Sequence, residues 1–229
     1  MSPDSIFYQI AVWLIPLIVA ITLHEVAHGY AAWALGDQTA RRLGRLTLNP
    51  IRHVDPVGTV VLPLVLAIAH APIFGWAKPV PVETAGMRNP RIDMALVAMA
   101  GPATNLVLGF LAAIAVVLFA FWQGEAIDAG FPRFVADSLF SFLQINVFLA
   151  VFNMLPLPPF DGGHVVAGVL PEALAEPYAQ LGRYGFLIMI VLLVILPSIA
   201  PEANFVARII GPVADNVARL FLTAAGAIT

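Results

Sequence analysis

An all-α polytopic membrane protein is the fold class this sequence predicts, with about five to six membrane segments and a small re-entrant or β-hairpin element after the first helix. Three observations lead there. Of 229 residues, 60% are hydrophobic and only 11% charged, against about a quarter charged in an ordinary soluble domain. The mean hydropathy is +0.91. No Asp, Glu, Lys or Arg lies between Asp4 and Glu25, Asp55 and Lys78, Asp93 and Glu125, Asp137 and Asp161, or Arg183 and Glu202. Each run is near or above the roughly 20 apolar residues that a membrane helix needs. So little charge cannot cover a water-facing surface, so the lipid bilayer is the first partner implied. One membrane-embedded domain, 1–229, is expected, with a core over 5–170 and C-terminal helices over 171–229.

The first helix should run from about Ser5 to Leu35 and stop at Gly36-Asp37, since glycine readily takes the left-handed turn that ends a helix. It is not expected to be a cleaved leader: no basic stretch precedes it, and it continues into polar residues at His24. From Arg41 to Asp55, Leu43, Arg45, Thr47 and Asn49 alternate with Gly44, Leu46 and Leu48, which suggests a short strand or hairpin. Val57 to Trp76 is apolar but interrupted by Pro63, Pro72 and Gly75. Lys78-Pro-Val-Pro-Val82 should be extended, because each proline disfavours helix in the residue before it.

A second helix is expected from about Ile92 to Trp122 and a third from about Ser138 to Leu155. Pro156 to Gly163, with three prolines, cannot be regular helix. A helix from near Tyr184 to Leu196 follows. The last segment, Phe205 to Ala227, carries Arg208, Asp215 and Arg219 and suits the membrane interface. Gly124 to Asp137 is the one loop of any size expected outside. There is no cysteine, which excludes disulfides and thiolate metal sites, and a net charge of −3 offers no basic face to nucleic acid.

The chemistry begins at His24-Glu25-Val-Ala-His28. On a helix, positions i and i+4 share a face, so both imidazoles can reach one metal ion. Glu25 projects to one side, where it can take a proton from water and pass it to a leaving amine. Ionisable side chains in an apolar helix are costly and usually mark function. Two histidines leave a catalytic zinc site short of its third protein ligand. His53 lies in a charged loop, and His70, alone in an apolar run, suits a polar tip near the interface. Asp161, after the proline-broken stretch, can be the anionic third ligand, or an N-cap over Gly162 and Gly163, or both.

These two motifs together resemble the site-2 protease family of intramembrane zinc metalloproteases. That family joins HExxH on one membrane helix to Asn-x-x-Pro-x-Pro-x-x-Asp-Gly on a later one, matched here by Asn153, Pro156, Pro158, Asp161 and Gly162. Phe160 stands where the family often has Leu. Gly101-Pro102-Ala-Thr-Asn105 is similar to the family's Gly-Pro-x-x-Asn. Leu43 to Pro50 and Gly75 to Pro81 are similar to its compact bacterial members. The likeness spans roughly residues 10–170, and the PDZ and CBS domains of larger relatives are not expected.

The resemblance implies Zn2+ held by His24, His28 and Asp161, with Glu25 as general base. It implies Asn153 against substrate backbone, and Asn105 either against substrate or tethering helices. His164 is expected beside the site or in solvent. The implied substrates are membrane proteins with helical transmembrane segments, cut in or near those segments. The implied location is a bacterial cytoplasmic membrane, with the site toward the cytoplasm. An edge strand within Arg41–Pro50 could pair with unwound substrate, or the segment could be a plain arginine-rich loop. A metal transporter would need ligands on several spans, and a catalytically dead scaffold would not need all four of His24, Glu25, His28 and Asp161.

Overall fold

The computed structural model describes residues 5–68, 75–124, 130–200, 202 and 204–226. Among the described residues every regular element is helical. Four helical stretches among the described residues are long and apolar enough to cross a membrane: Ile6–Ala34, Pro90–Gln123, Gly130–Asn153 and Glu172–Ile199.

Helix α1 (Ile6–Ala34) ends as the glycine signal predicts. Gly36 adopts φ +109°, the Gly36 N–H reaches Trp33 O, and the Asp37 N–H reaches Ala32 O. This pair of bonds is the Schellman closure, which satisfies carbonyls the helix end would leave open. Burial would raise the Asp37 carboxyl, but the amides of Thr39 and Glu83 hold it below the usual carboxylate range. Asp37 thereby ties the end of α1 to a segment 46 residues away.

The hairpin expectation over 41–55 is corrected. Helix α2 (Thr39–Arg42) leads into an irregular stretch, and a short turn of helix follows at Pro50–His53. Side chains bind this backbone where a strand partner would. Gly44 turns at φ +64°, and His53 Nε2 lies 2.9 Å from Thr47 O. The alternation of residue types had the strand period without a neighbouring strand to pair with.

The next apolar stretch forms one wide turn from Pro56 and then helix α3 (Leu62–Ile68). Among the described residues this is an apolar helix shorter than the four membrane-length stretches. His70 falls outside the described residues. The chain then comes back to where it left: the Trp76 N–H donates to Gly58 O at 3.2 Å, Thr59 Oγ1 donates to Trp76 O at 2.9 Å, and the Lys78 N–H donates to His53 O at 2.8 Å. Gly58 has to be glycine, because a Cβ there would lie inside the Trp76 indole.

Residues 75–83 continue as an extended strap beside the C-terminal half of α1, as the prolines require. Helix α4 (Pro90–Gln123) opens on a proline, whose missing N–H costs nothing at that position. Helix α5 (Gly130–Asn153) begins two turns earlier than expected. Pro132 is tolerated in the first turn of a helix, so residues 130–137 are helix rather than loop.

Helix α4 packs against α1 and α5, and against α6 (Asp161–Val169). The C-terminal run comprises α7 (Glu172–Ala179), α8 (Gly185–Ile190), α9 (Leu196–Ile199) and α10 (Gly211–Ala224). Ala214 of α10 is buried with Ala112, Ala113, Leu143 and Val147, and Phe221 packs beside them. Small residues let these backbones approach closely, as in other membrane bundles. The charges of α10 lie on its exposed face, and its apolar face completes the bundle.

Candidate metal centre

His24 and His28 project from one face of α1 with ring centroids 4.6 Å apart. Each ring is held by its Nδ1. His28 Nδ1 lies 2.8 Å from Val97 O, and His24 Nδ1 meets Asn105 Oδ1. Both partners are oxygens that only accept, so both imidazoles carry their hydrogen on Nδ1. In the neutral rings that bind a metal, each Nε2 then bears a lone pair.

Asp161 arrives from the opposite side of the site. The chain after α5 folds on itself through Leu157 N–H to Leu155 O and Phe160 N–H to Leu157 O. Gly162 makes this possible, because a Cβ there would strike the carbonyls of Met154 and Leu155. Phe160 is buried against Phe152 with ring centroids 4.7 Å apart. Asp161 is the first residue of α6, and the N-cap position falls to Phe160, with no side-chain cap. The carboxylate is thus left free to face α1, and the positive end of the α6 dipole favours its charge.

Asp161 Oδ2 lies 3.2 Å from His24 Nε2 and 3.4 Å from His28 Nε2, and the two Nε2 atoms are 3.0 Å apart. The carboxylate oxygen is buried and has no hydrogen-bond partner. With both rings neutral, three lone pairs converge with no hydrogen between them. Such an arrangement repels unless a cation lies at its centre. Tetrahedral zinc with bonds of about 2.0–2.1 Å holds its donors roughly 3.3 Å apart, which these separations match. Among the described residues, His24, His28 and Asp161 are the one group of three such side chains brought together in this way.

Gly101 brings α4 against this centre. A Cβ there would lie 2.5 Å from His28 Nε2 and 2.6 Å from His24 Cε1. Glu25 lies beside the three ligand candidates rather than among them. Its Oε2 accepts the Val80 N–H at 2.9 Å. Val80 stands between Pro79 and Pro81, so its N–H is the lone amide donor of that tripeptide. Buried Arg45 fastens the strap by donating from Nη2 to Lys78 O at 3.0 Å and Pro79 O at 3.3 Å.

Asn105 is fully buried, with its polar atoms turned to His24, Asn146 and Ala20. Its amide thus joins α1, α4 and α5. Asn153 is the last residue of α5, and its Nδ2 donates to Leu149 O at 2.9 Å. His164 is exposed and lines a cleft of about 320 Å3 with Thr84, Arg91 and Met94.

Sequence reasoning missed Val80, Arg45 and Asn146. Only Asn146 had a signal available, as an amide within the charge-free run between Asp137 and Asp161.

Residues 12–196 match the model of peptidase family M50. The chain belongs to peptidase family M50. YwhC of Bacillus subtilis, described as "Putative zinc metalloprotease YwhC", is 42% identical over 182 residues, covering 79% of each chain. Rip2 of Mycolicibacterium smegmatis, described in the same terms, is 34% identical over 187 residues, covering 81% of this chain and 66% of its own. Rip2 of Mycobacterium tuberculosis H37Rv is 33% identical over 201 residues, covering 85% of this chain and 68% of its own. No solved structure matches the chain. The expected membership of the site-2 protease family is therefore met, and this family M50 member is a zinc metallopeptidase with membrane-spanning helices.

Proposed function

We propose that this peptidase hydrolyses peptide bonds in or near the transmembrane segments of other membrane proteins. The observation that carries the reading is the convergence of His24 Nε2, His28 Nε2 and Asp161 Oδ2 within a bundle of membrane-length helices. In this reading these three atoms hold the zinc. Bound zinc supplies Lewis-acid activation of water and of the scissile carbonyl.

Glu25 takes the proton from the attacking water and returns it to the leaving amine. The Val80 N–H fixes one carboxylate oxygen of Glu25, so the other is presented in a defined direction. Asn153, where α5 ends beside the proline-rich turn, is assigned to the substrate backbone.

A substrate helix keeps its hydrogen bonds internal, because leaving them unmade in lipid is costly. Cleavage therefore requires local unwinding. In vesicles containing the purified, zinc-loaded protein, a model substrate with Gly or Pro near the cut should be cleaved faster than a poly-Leu one of equal length. A metal chelator should stop both. Equal rates for the two substrates would remove unwinding from the mechanism, and chelator-resistant cleavage would remove the metal.

The proposed location is a bacterial cytoplasmic membrane, with the site at its cytoplasmic side and both ends of the stretch Val57–Trp76, part of which lies outside the described residues, on that same side. Two features support this: Trp76 hydrogen-bonds back to Gly58 and Thr59, and seven of the eleven basic residues lie between Arg41 and Arg91, as expected of a cytoplasmic flank. The chain has no cysteine, so Gln38→Cys, Ala85→Cys and Phe131→Cys can each be probed with an impermeant thiol reagent. All three positions are exposed. Added outside cells, the reagent should label position 131 and spare both 38 and 85. Labelling of 85 without 38 would show a full crossing between them.

A further inference from the structure

We propose that Asn146, which no motif includes, is a positioning residue of the metal centre: acting through Asn105, it keeps the His24 hydrogen on Nδ1 and the Nε2 lone pair turned to the metal. This rests on the proposed zinc site and extends it by two residues into the bundle. The chain of bonds starts at its far end, on α5. Asn146 Nδ2 donates to Phe142 O at 2.8 Å. A backbone carbonyl can only accept, so the Asn146 amide must turn its NH2 toward Phe142 and its oxygen toward α4.

There the Asn146 oxygen accepts from Asn105 Nδ2 at 2.7 Å. Asn105 has thus committed its NH2 to Asn146 and must present Oδ1 to His24. That oxygen in turn requires a hydrogen on His24 Nδ1, and Nε2 is left as the lone pair the centre uses. One polarity runs from Phe142 through three side chains on three helices.

Asn105 and Asn146 are both completely buried. Reversing either amide would set donor against donor or acceptor against acceptor where no water can relieve it, a costly arrangement in a medium of low polarity. Without the Asn146 oxygen, Asn105 Nδ2 keeps only Ala20 O at 3.5 Å, a marginal partner. Its amide can then turn its NH2 to His24 and drive the hydrogen onto Nε2. His28 has no such relay, because its Nδ1 is held directly by the Val97 carbonyl. Outer partners of metal-bound histidines typically set affinity by about 10–100-fold.

The test measures zinc affinity, by competition with a chromogenic chelator, on the full chain in detergent. Asn146→Leu and Asn105→Ala should each weaken zinc by about 10–100-fold. The double variant should bind no more weakly than Asn105→Ala alone, because Asn146 acts through Asn105. Asn146→Asp, as the neutral acid, can still accept from Asn105 and donate to Phe142, and should bind zinc within a few-fold of the parent. Losses that multiply in the double variant would mark Asn146 as merely structural and overturn the proposal, as would unchanged affinity in Asn146→Leu.

A second measurement needs no variant. In zinc-loaded protein labelled with 15N-histidine, His24 should show a protonated Nδ1 and a metal-bound Nε2. The opposite assignment overturns the relay while leaving zinc binding intact. Failure of the parent chain to bind zinc at all would instead overturn the zinc reading and the relay with it.

Discussion

Glu25→Gln is expected to lower the rate of peptide-bond hydrolysis by about 10^2–10^4 while zinc stays bound at full stoichiometry. Glutamine has nearly the shape of glutamate and can still accept the Val80 N–H that holds the native side chain. What it cannot do at neutral pH is take a proton from water. Its position beside the three converging atoms, and not among them, is why the metal should be indifferent to the change.

Asp161→Asn gives the contrasting outcome. An amide is a poor substitute for the anionic oxygen that meets both imidazoles, so metal content should fall together with activity. Metal analysis and a cleavage assay on the same preparations separate the two roles. Loss of stoichiometric zinc from Glu25→Gln would make Glu25 a ligand. Retention of both zinc and activity by Asp161→Asn would send the search for the third ligand elsewhere.

The parts of this centre that were legible in the sequence are those encoded over one helical turn or in one contiguous motif. The spacing of His24 and His28 alone places both rings on one face, and Asp161 stood out as a carboxylate behind three prolines in a charge-free run. The long helices were equally legible, because a bilayer demands uninterrupted apolar length. Legibility ended where the partner is remote. Val80 meets Glu25 across 55 residues and Asn146 meets Asn105 across 41, and no local period reports such meetings.

The hairpin expected around Arg45 failed for a related reason. Alternation predicts a strand only if another strand is there to pair, and here Arg45 and His53 bind backbone carbonyls instead. The charges of the final helix likewise suggested the interface. Its opposite face, with Ala214 and Phe221 in the bundle, is a property of packing that a count of charges does not contain.

Gly101→Ala is expected to weaken zinc binding by about 100-fold, although alanine is the better helix former. In an unconstrained helix interior the change should stabilise by up to about 1 kcal/mol. Here the added carbon would lie 2.5–2.6 Å from ring atoms of both imidazoles, so something must move. The rings have little freedom to yield. Asn105 and Val97, which hold them by Nδ1, stand on the same helix as Gly101. Displacing α4 to relieve the contact therefore drags both anchors with it.

A shift of about 1 Å at a reacting centre can cost roughly 10^2 in rate, and forced overpacking typically costs about 1–3 kcal/mol. Gly109→Ala on the same helix is the control. Its new carbon would meet Val147 Cγ2 at 3.1 Å and Asn146 Cβ at an ordinary 3.7 Å but neither imidazole, so any loss of zinc affinity should be well below that of Gly101→Ala. Calorimetry of zinc binding and thermal unfolding of the metal-free protein, run on both variants, distinguish the effects. If Gly101→Ala bound zinc like the parent and melted higher, α4 would not lie as close to His24 and His28 as this geometry requires. Room for the two imidazoles would then not be why Gly101-Pro102-Ala-Thr-Asn105 begins with a glycine.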